Sequence, residues 1–208
     1  MFEDLFYRTT WFNLKDRPFD HYPIKEPYFI SVGTCIARDN TRYKGSLYLD
    51  QISKKMNLDY LNISLDANNL QWQDIQLQKV LKLNLKPAFI LVQLQRPYYW
   101  QNSYFYKILG DKNIAHYHPE PTKNNYIKGC EFLKNMISWY FYNVKNVFFF
   151  NHLCYSKFEF RMLEKTIGDF DNVCLNRWVH REDQTDFDQE THNIIYQKLL
   201  PWLQTKIK

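Results

Sequence analysis

The chain is expected to form one α/β domain, a three-layer α/β/α sandwich built on a five-stranded parallel sheet. Three observations predict it. Short β-rich runs alternate with longer helical patterns five times in succession, and parallel neighbours require such crossover helices. The run Ala88 to Leu94 is almost wholly apolar, as a strand covered on both faces should be. With 208 residues, 45% of them hydrophobic and 24% charged, the chain can bury a sizeable core without disulfides or metal.

The elements follow from local pattern. Tyr28 to Val32 is a compact apolar run ending at Gly33, and Gly45 to Met56 reads as a helix that turns Leu49, Ile52 and Met56 inward. Tyr60 to Leu65 gives the second strand. In the next helix, Leu70 to Leu83, Leu70, Leu77 and Leu81 recur at helical spacing. Ala88 to Leu94 is the third strand, Tyr126 to Tyr142 a long helix, and Val147 to Asn151 the fourth strand. Phe158 to Ile167 is another helix, and Asn172 to Trp178 the fifth strand. A final helix begins near Asp188, where Thr185 and Asp188 are spaced like a capping box, and is expected to stop near Leu200 because Pro201 lacks an N–H. Val32, Ile63, Val92, Phe149 and Leu175 are expected at central sheet positions. Residues 1–27, with Pro18, Pro23 and Pro27, form an arm on the core, and 28–208 the domain itself. Strand order 2-1-3-4-5 puts the ligand crevice at the carboxyl ends of strands one and three.

Composition narrows the function classes. The net charge of +5 is spread along the chain without a basic run, so nucleic acid is not implied. No apolar stretch nears the ~20 residues that span a bilayer, and Met1 to Asp4 carries acid where a secretory signal carries base, so the chain is expected to be cytoplasmic, in a host cytosol or a virion, or released without a leader. The four cysteines, Cys35, Cys130, Cys154 and Cys174, form no CxxC pair. His116 and His118 have the spacing of two metal ligands but no third nearby, and no metal or cofactor is expected.

The turn after strand one, Val32-Gly33-Thr34-Cys35-Ile36-Ala37, is the chief candidate site. A Gly just past the strand puts Cys35 at the mouth of the sheet, near amides that favour a thiolate. A small residue in a tight turn is the other reading of the same pattern. Arg38, Arg42 and Lys44 follow, a setting suited to an anion or to a solvated loop with Asp39 as internal partner. Residues 97–125 make a connection far longer than the usual two to six residues, and its rings, Trp100 among them, suit stacking on sugars or bases, an interface or a lid.

Gly33-Thr34-Cys35 stands where the SGNH/GDSL hydrolase superfamily carries its Gly-Asp-Ser nucleophile, and from Pro27 to Leu203 the chain resembles that superfamily, an SGNH-hydrolase/flavodoxin-like fold. It is most similar to the divergent versions in bacteriophage genomes, whose third strand ends in a polar, Arg-containing stretch like Gln93-Leu94-Gln95-Arg96-Pro97. The resemblance implies Cys35 as nucleophile and Asp183 as the Asp of the last block. Asp186 fills the His place of that block. His180 is then the nearest base, and His192 lies inside the final helix, out of catalytic register. The Gly of the second block and the Asn of the third, which hold the oxyanion, are absent. Asn68, Asn69 and Gln95 are the side-chain amides that can substitute.

These readings point to a phage-encoded, catalytically degenerate domain that binds a glycan, acyl ester or protein ligand through Gly33, Thr34, Arg38, Asn68, Asn69, Gln95, Arg96 and Trp100. An active Cys-dependent esterase is the alternative. A virion assembly protein is the third.

Overall fold

The computed structural model describes residues 26–34, 46–64, 69–99, 107–109, 113–115, 122–151, 157–176 and 189–207. Their main sheet has five parallel strands, β1 (Tyr28–Val32), β2 (Asp59–Asn62), β3 (Ile90–Leu94), β6 (Val147–Asn151) and β7 (Val173–Cys174), in the order β2-β1-β3-β6-β7. This is the expected 2-1-3-4-5 arrangement. β4 (Lys107–Leu109) and β5 (Asn113–Ala115) form a separate antiparallel hairpin within the long connection, where no strand was expected.

Side chains alternate across each strand, and the two apolar sets meet different helices. Ile30, Val32, Leu61, Ile90, Val92 and Phe149 face α2 (Leu70–Lys82), α3 (Lys123–Asn143) and α4 (Lys157–Ile167). Phe29, Tyr60, Leu91, Phe148 and Phe150 face α1 (Tyr48–Met56) and α5 (Gln189–Lys206). Register aligns Ile30 with Ile90, Val92 with Phe149, and Phe29 with Tyr60, whose rings stack at 5.4 Å. Val32, Val92 and Phe149 occupy the central places foreseen for them. Ile63 and Leu175 do not: each lies just beyond an edge strand, because β2 ends at Asn62 and β7 holds only Val173 and Cys174.

Pro201 does not end the last helix. α5 continues through it to Lys206, and Leu199, Leu200 and Leu203 are all buried, so packing of the apolar face outweighs one missing backbone hydrogen bond.

α1 is held at its start by neighbouring side chains. Its N-cap is Leu47, which has no side-chain acceptor, and the Asp50 carboxylate takes the Leu47 N–H at 3.0 Å while accepting the Tyr60 hydroxyl at 2.6 Å. The orphan N–H of Tyr48 goes to Nδ1 of His192 on α5 at 3.4 Å, and the two rings stack. Gln189 adds a reciprocal pair, accepting the Ser46 N–H at 3.0 Å and donating to the Ser46 carbonyl at 3.1 Å. The approach of residue 97 to α3 is equally tight: a Cβ on Gly129 would lie 1.8 Å from the Pro97 carbonyl oxygen.

Among the described residues no helix is long and apolar enough to cross a membrane, and no cluster of metal-ligating side chains occurs. His116 and His118 lie outside them.

Candidate functional site

The carboxyl edge of the sheet collects polar side chains that the core cannot accommodate elsewhere. β1 runs out through Gly33 to the buried Thr34, β2 ends at Asn62, β3 carries Gln93 and leads to Gln95, and β6 ends at Asn151 beside Asn176. Each buried amide needs partners, and here they come mostly from the backbone of the loops that leave the sheet.

Gln93 is the centre of this arrangement. Fully buried in β3, it accepts the Thr34 N–H at 3.1 Å through Oε1 and so fixes the turn after β1. Gln73, equally buried on α2, donates Nε2 to the Gln93 carbonyl at 2.8 Å and accepts the Gln95 N–H at 3.3 Å through Oε1, extending β3 by a side chain instead of a strand. Across the sheet, Asn151 does the same for β7, accepting the Asn176 N–H at 2.7 Å and donating to the Asn176 carbonyl at 3.1 Å. Asn62 accepts the Ser64 N–H at 3.1 Å at the exit of β2.

Two amides named as substitute oxyanion donors have structural duties. Asn69 is the N-cap of α2, its Oδ1 accepting the Trp72 N–H at 2.8 Å, which is the usual work of Asn at that position. Gln95 turns its Oε1 back on the Arg96 N–H at 2.9 Å. Arg96 is ion-paired with the buried Glu159 of α4 and stands 5.3 Å from the centre of the Tyr98 ring. Tyr126 completes that cluster, meeting Tyr98 edge-on at 4.7 Å and donating its hydroxyl to the Glu159 carbonyl at 3.0 Å. The charge of Arg96 is thus balanced within the protein.

The structure therefore brings together Gly33, Thr34, Gln95 and Arg96 at one edge, with Asn69 at the head of the adjoining helix. Cys35, Arg38, Asn68, Trp100, His180 and Asp183 lie outside the described residues. Sequence reasoning missed Gln73, Gln93, Asn151, Asn176 and Glu159. A signal for Gln93 was present: a lone polar residue in the apolar run Ala88 to Leu94 must find a buried partner.

Of the cysteines, Cys130 and Cys174 are free thiols whose pKa burial pushes up to about 11, against a minor lowering by Thr166 at Cys130 and by Lys198 at Cys174. Neither has the character of a nucleophile. Deeper under the crevice, Ser31 and Tyr48 bury their hydroxyls side by side, and burial holds the Tyr48 phenol well above its ordinary pKa.

At the level of sequence, no family model and no curated protein matches the chain. Solved structures do. A family two carbohydrate esterase from Clostridium thermocellum in complex with cellohexaose is similar at TM-score 0.54 and 12% identity, over 89% of this chain and 66% of that one. A lipolytic protein of the G-D-S-L family from Desulfitobacterium hafniense is similar at 0.53 and 10% identity, over 85% and 99%. A carbohydrate esterase whose active site displays divergent catalytic and non-catalytic binding functions gives 0.52 and 11%, over 89% and 67%.

The chain has the fold of the SGNH/GDSL esterases and lipases. It spans about two thirds of the carbohydrate esterases and nearly all of the smaller lipolytic protein. The resemblance drawn from Gly33-Thr34-Cys35 thus holds at the level of fold.

Proposed function

We propose that this SGNH-hydrolase-like domain binds a glycan or acyl-ester ligand at the carboxyl edge of its sheet and cleaves esters weakly or not at all. The observation that carries the reading is the use made of the strand-end amides. Gln93, Gln73, Asn69 and Gln95 all spend their carboxamide oxygens on backbone N–H groups, which stiffens the floor of the crevice. A stiff floor favours recognition, since less freedom is lost when a ligand binds.

Chemistry needs more than a floor. A tetrahedral intermediate requires a nucleophile, a base that can also protonate the leaving group, and donors for the oxyanion. Cys35 supplies the first, but the second-block Gly and third-block Asn are missing, and Asp186 fills the base position with an anion. Loss of one donor alone typically costs about 10²- to 10³-fold. One structural neighbour, the carbohydrate esterase with divergent catalytic and non-catalytic binding functions, gives a precedent on this fold for recognition separate from cleavage.

The test is hydrolysis of short-chain p-nitrophenyl esters by wild type and Cys35→Ala, beside NMR titration of the wild type with cello- and xylo-oligosaccharides. Ligand-induced shifts at Gln93 to Arg96 without ester turnover are expected. Robust multiple turnover that vanishes in Cys35→Ala would overturn the degenerate reading in favour of a Cys-dependent esterase.

A further inference from the structure

α2 and α3 leave a groove of about 270 Å³ on the outer face of the sandwich, lined by Asp74, Gln78, Phe132, Asn135, Met136 and Trp139. It lies on helices, away from the carboxyl edge. Trp139 is 44% exposed, and Tyr142, one helical turn further along α3, is 75% exposed. Large rings left in water on one helical stripe need an explanation, because the same helix buries Tyr126 and Tyr140 almost completely.

The polar side of the groove is built from inside. Tyr140, whose ring packs on Phe149 in the core, donates its hydroxyl to Asp74 Oδ1 at 2.9 Å and receives the Gln78 amide N–H at 3.0 Å. Both side chains are therefore fixed by a buried phenol. Asp74 Oδ2 and Gln78 Oε1 have no hydrogen-bond partner among the described residues, and Asn135 stands on the opposite wall. Trp139 meets Tyr140 edge-on at 4.9 Å, which fixes the indole against the same anchor.

From this geometry we infer that the α2–α3 groove is a second carbohydrate subsite, taking a pyranose ring of a neutral oligosaccharide on Trp139 with its hydroxyls donating to Asp74 and Gln78. The chemistry is complementary on both sides. A pyranose has an apolar C–H face that covers an aromatic ring and a rim of hydroxyl donors that fit fixed acceptors. Preset acceptors lower the ordering cost of binding, and Tyr142 extends the aromatic stripe for a neighbouring sugar. A second copy of the chain would cover the rings but leave the Asp74 carboxylate desolvated. The choice of ligand class rests on the glycan reading above, while the site itself is separate.

The experiment is NMR titration of the full chain with cellohexaose and xylohexaose, with Trp139→Ala and Trp139→Phe, following the groove amides of α2 and α3 (Gln78 to Lys82 and Phe132 to Tyr142) apart from those of Gln93 to Arg96, since the start of α2 belongs to the crevice. Saturable shifts around Asp74, Gln78 and Trp139 are expected, with affinity at those signals falling about tenfold in Trp139→Ala and largely kept in Trp139→Phe. Shifts confined to Gln93 to Arg96 would overturn this inference and leave the crevice reading standing. Shifts confined to the groove amides would uphold the subsite and overturn the glycan arm of the crevice reading. Absence of shifts at the groove amides with both sugars, or affinity unchanged in Trp139→Ala, overturns the subsite, as does concentration-dependent self-association that Trp139→Ala abolishes.

Discussion

The Thr34 N–H and the Gln93 side-chain oxygen lie 3.1 Å apart, joining the turn after the first strand to the core of the third across 59 residues of sequence. Both residues are buried, so neither group can fall back on water. Gln93→Leu, close in volume, should cost about 1–3 kcal/mol by leaving the Thr34 donor unsatisfied. Urea unfolding measures the loss, and a change below about 0.5 kcal/mol would mean the turn is held by other means.

Gly129 should tolerate no side chain. In Gly129→Ala the new methyl would sit 1.8 Å from the Pro97 carbonyl oxygen, a backbone atom that cannot swing aside as a side-chain tip does. Despite the better helix propensity of Ala, a loss of about 1–3 kcal/mol is expected from forced separation of Pro97 and α3. Thermal unfolding reads it, and a stabilised variant would refute the close approach.

His192→Phe removes the acceptor of one hydrogen bond. The ring remains to stack on Tyr48, whereas the acceptor for the Tyr48 N–H disappears. A destabilisation of about 1–2 kcal/mol should follow, within the range for an orphaned buried donor. Equal stability of the variant and wild type would show that the stacking, and not the nitrogen, matters at this position.

The thiols predict a pH response. Cys130 and Cys174 have folded-state pKa values raised from 9.0 to about 11, chiefly by burial. The stabilising effect of keeping them neutral is complete below the unfolded value and is lost as pH rises through the interval from 9 to 11. Chemical denaturation should therefore show stability declining over that alkaline window, less steeply when both are replaced by Ala. Brief iodoacetamide treatment near pH 8 should leave both thiols largely unlabelled while Cys35 reacts. Faster alkylation of Cys130 or Cys174 than of Cys35 would sink the assignment of Cys35 as the activated thiol.

Much of the fold could be read from residue patterns because its signals are local. The apolar runs ending at Val32, Leu94 and Asn151 and the helical spacing of Leu70 and Leu77 carry their own periodicity, and all became elements within a few residues of expectation. Pro201 misled because propensity says nothing of Leu203, whose burial is decided by a sheet assembled far upstream. The candidate site was legible only as a place. That the turn after Gly33 lies at the crevice followed from topology, but the pairing of Thr34 with Gln93, and of Gln73 with Gln95, depends on register between distant strands and on which way an amide points. Asn69 and Gln95 were singled out for their amide donors, and the geometry shows in addition what their oxygens do, each accepting a backbone N–H.

One layer of the sandwich has a consequence for how the molecule is made. Among the described residues, the face bearing Phe29, Leu91, Phe148 and Phe150 is covered by α1 and α5, and α5 follows every strand of the sheet. On a ribosome emitting the chain from its amino end, the sheet can align while half of that face still lacks its lid. Among the described residues, the nine of α1 are what shields it until residues 189–206 emerge. Nascent chains stalled before Gln189 should therefore present a wide aromatic surface and recruit chaperones, whereas emergence of α5 covers the layer.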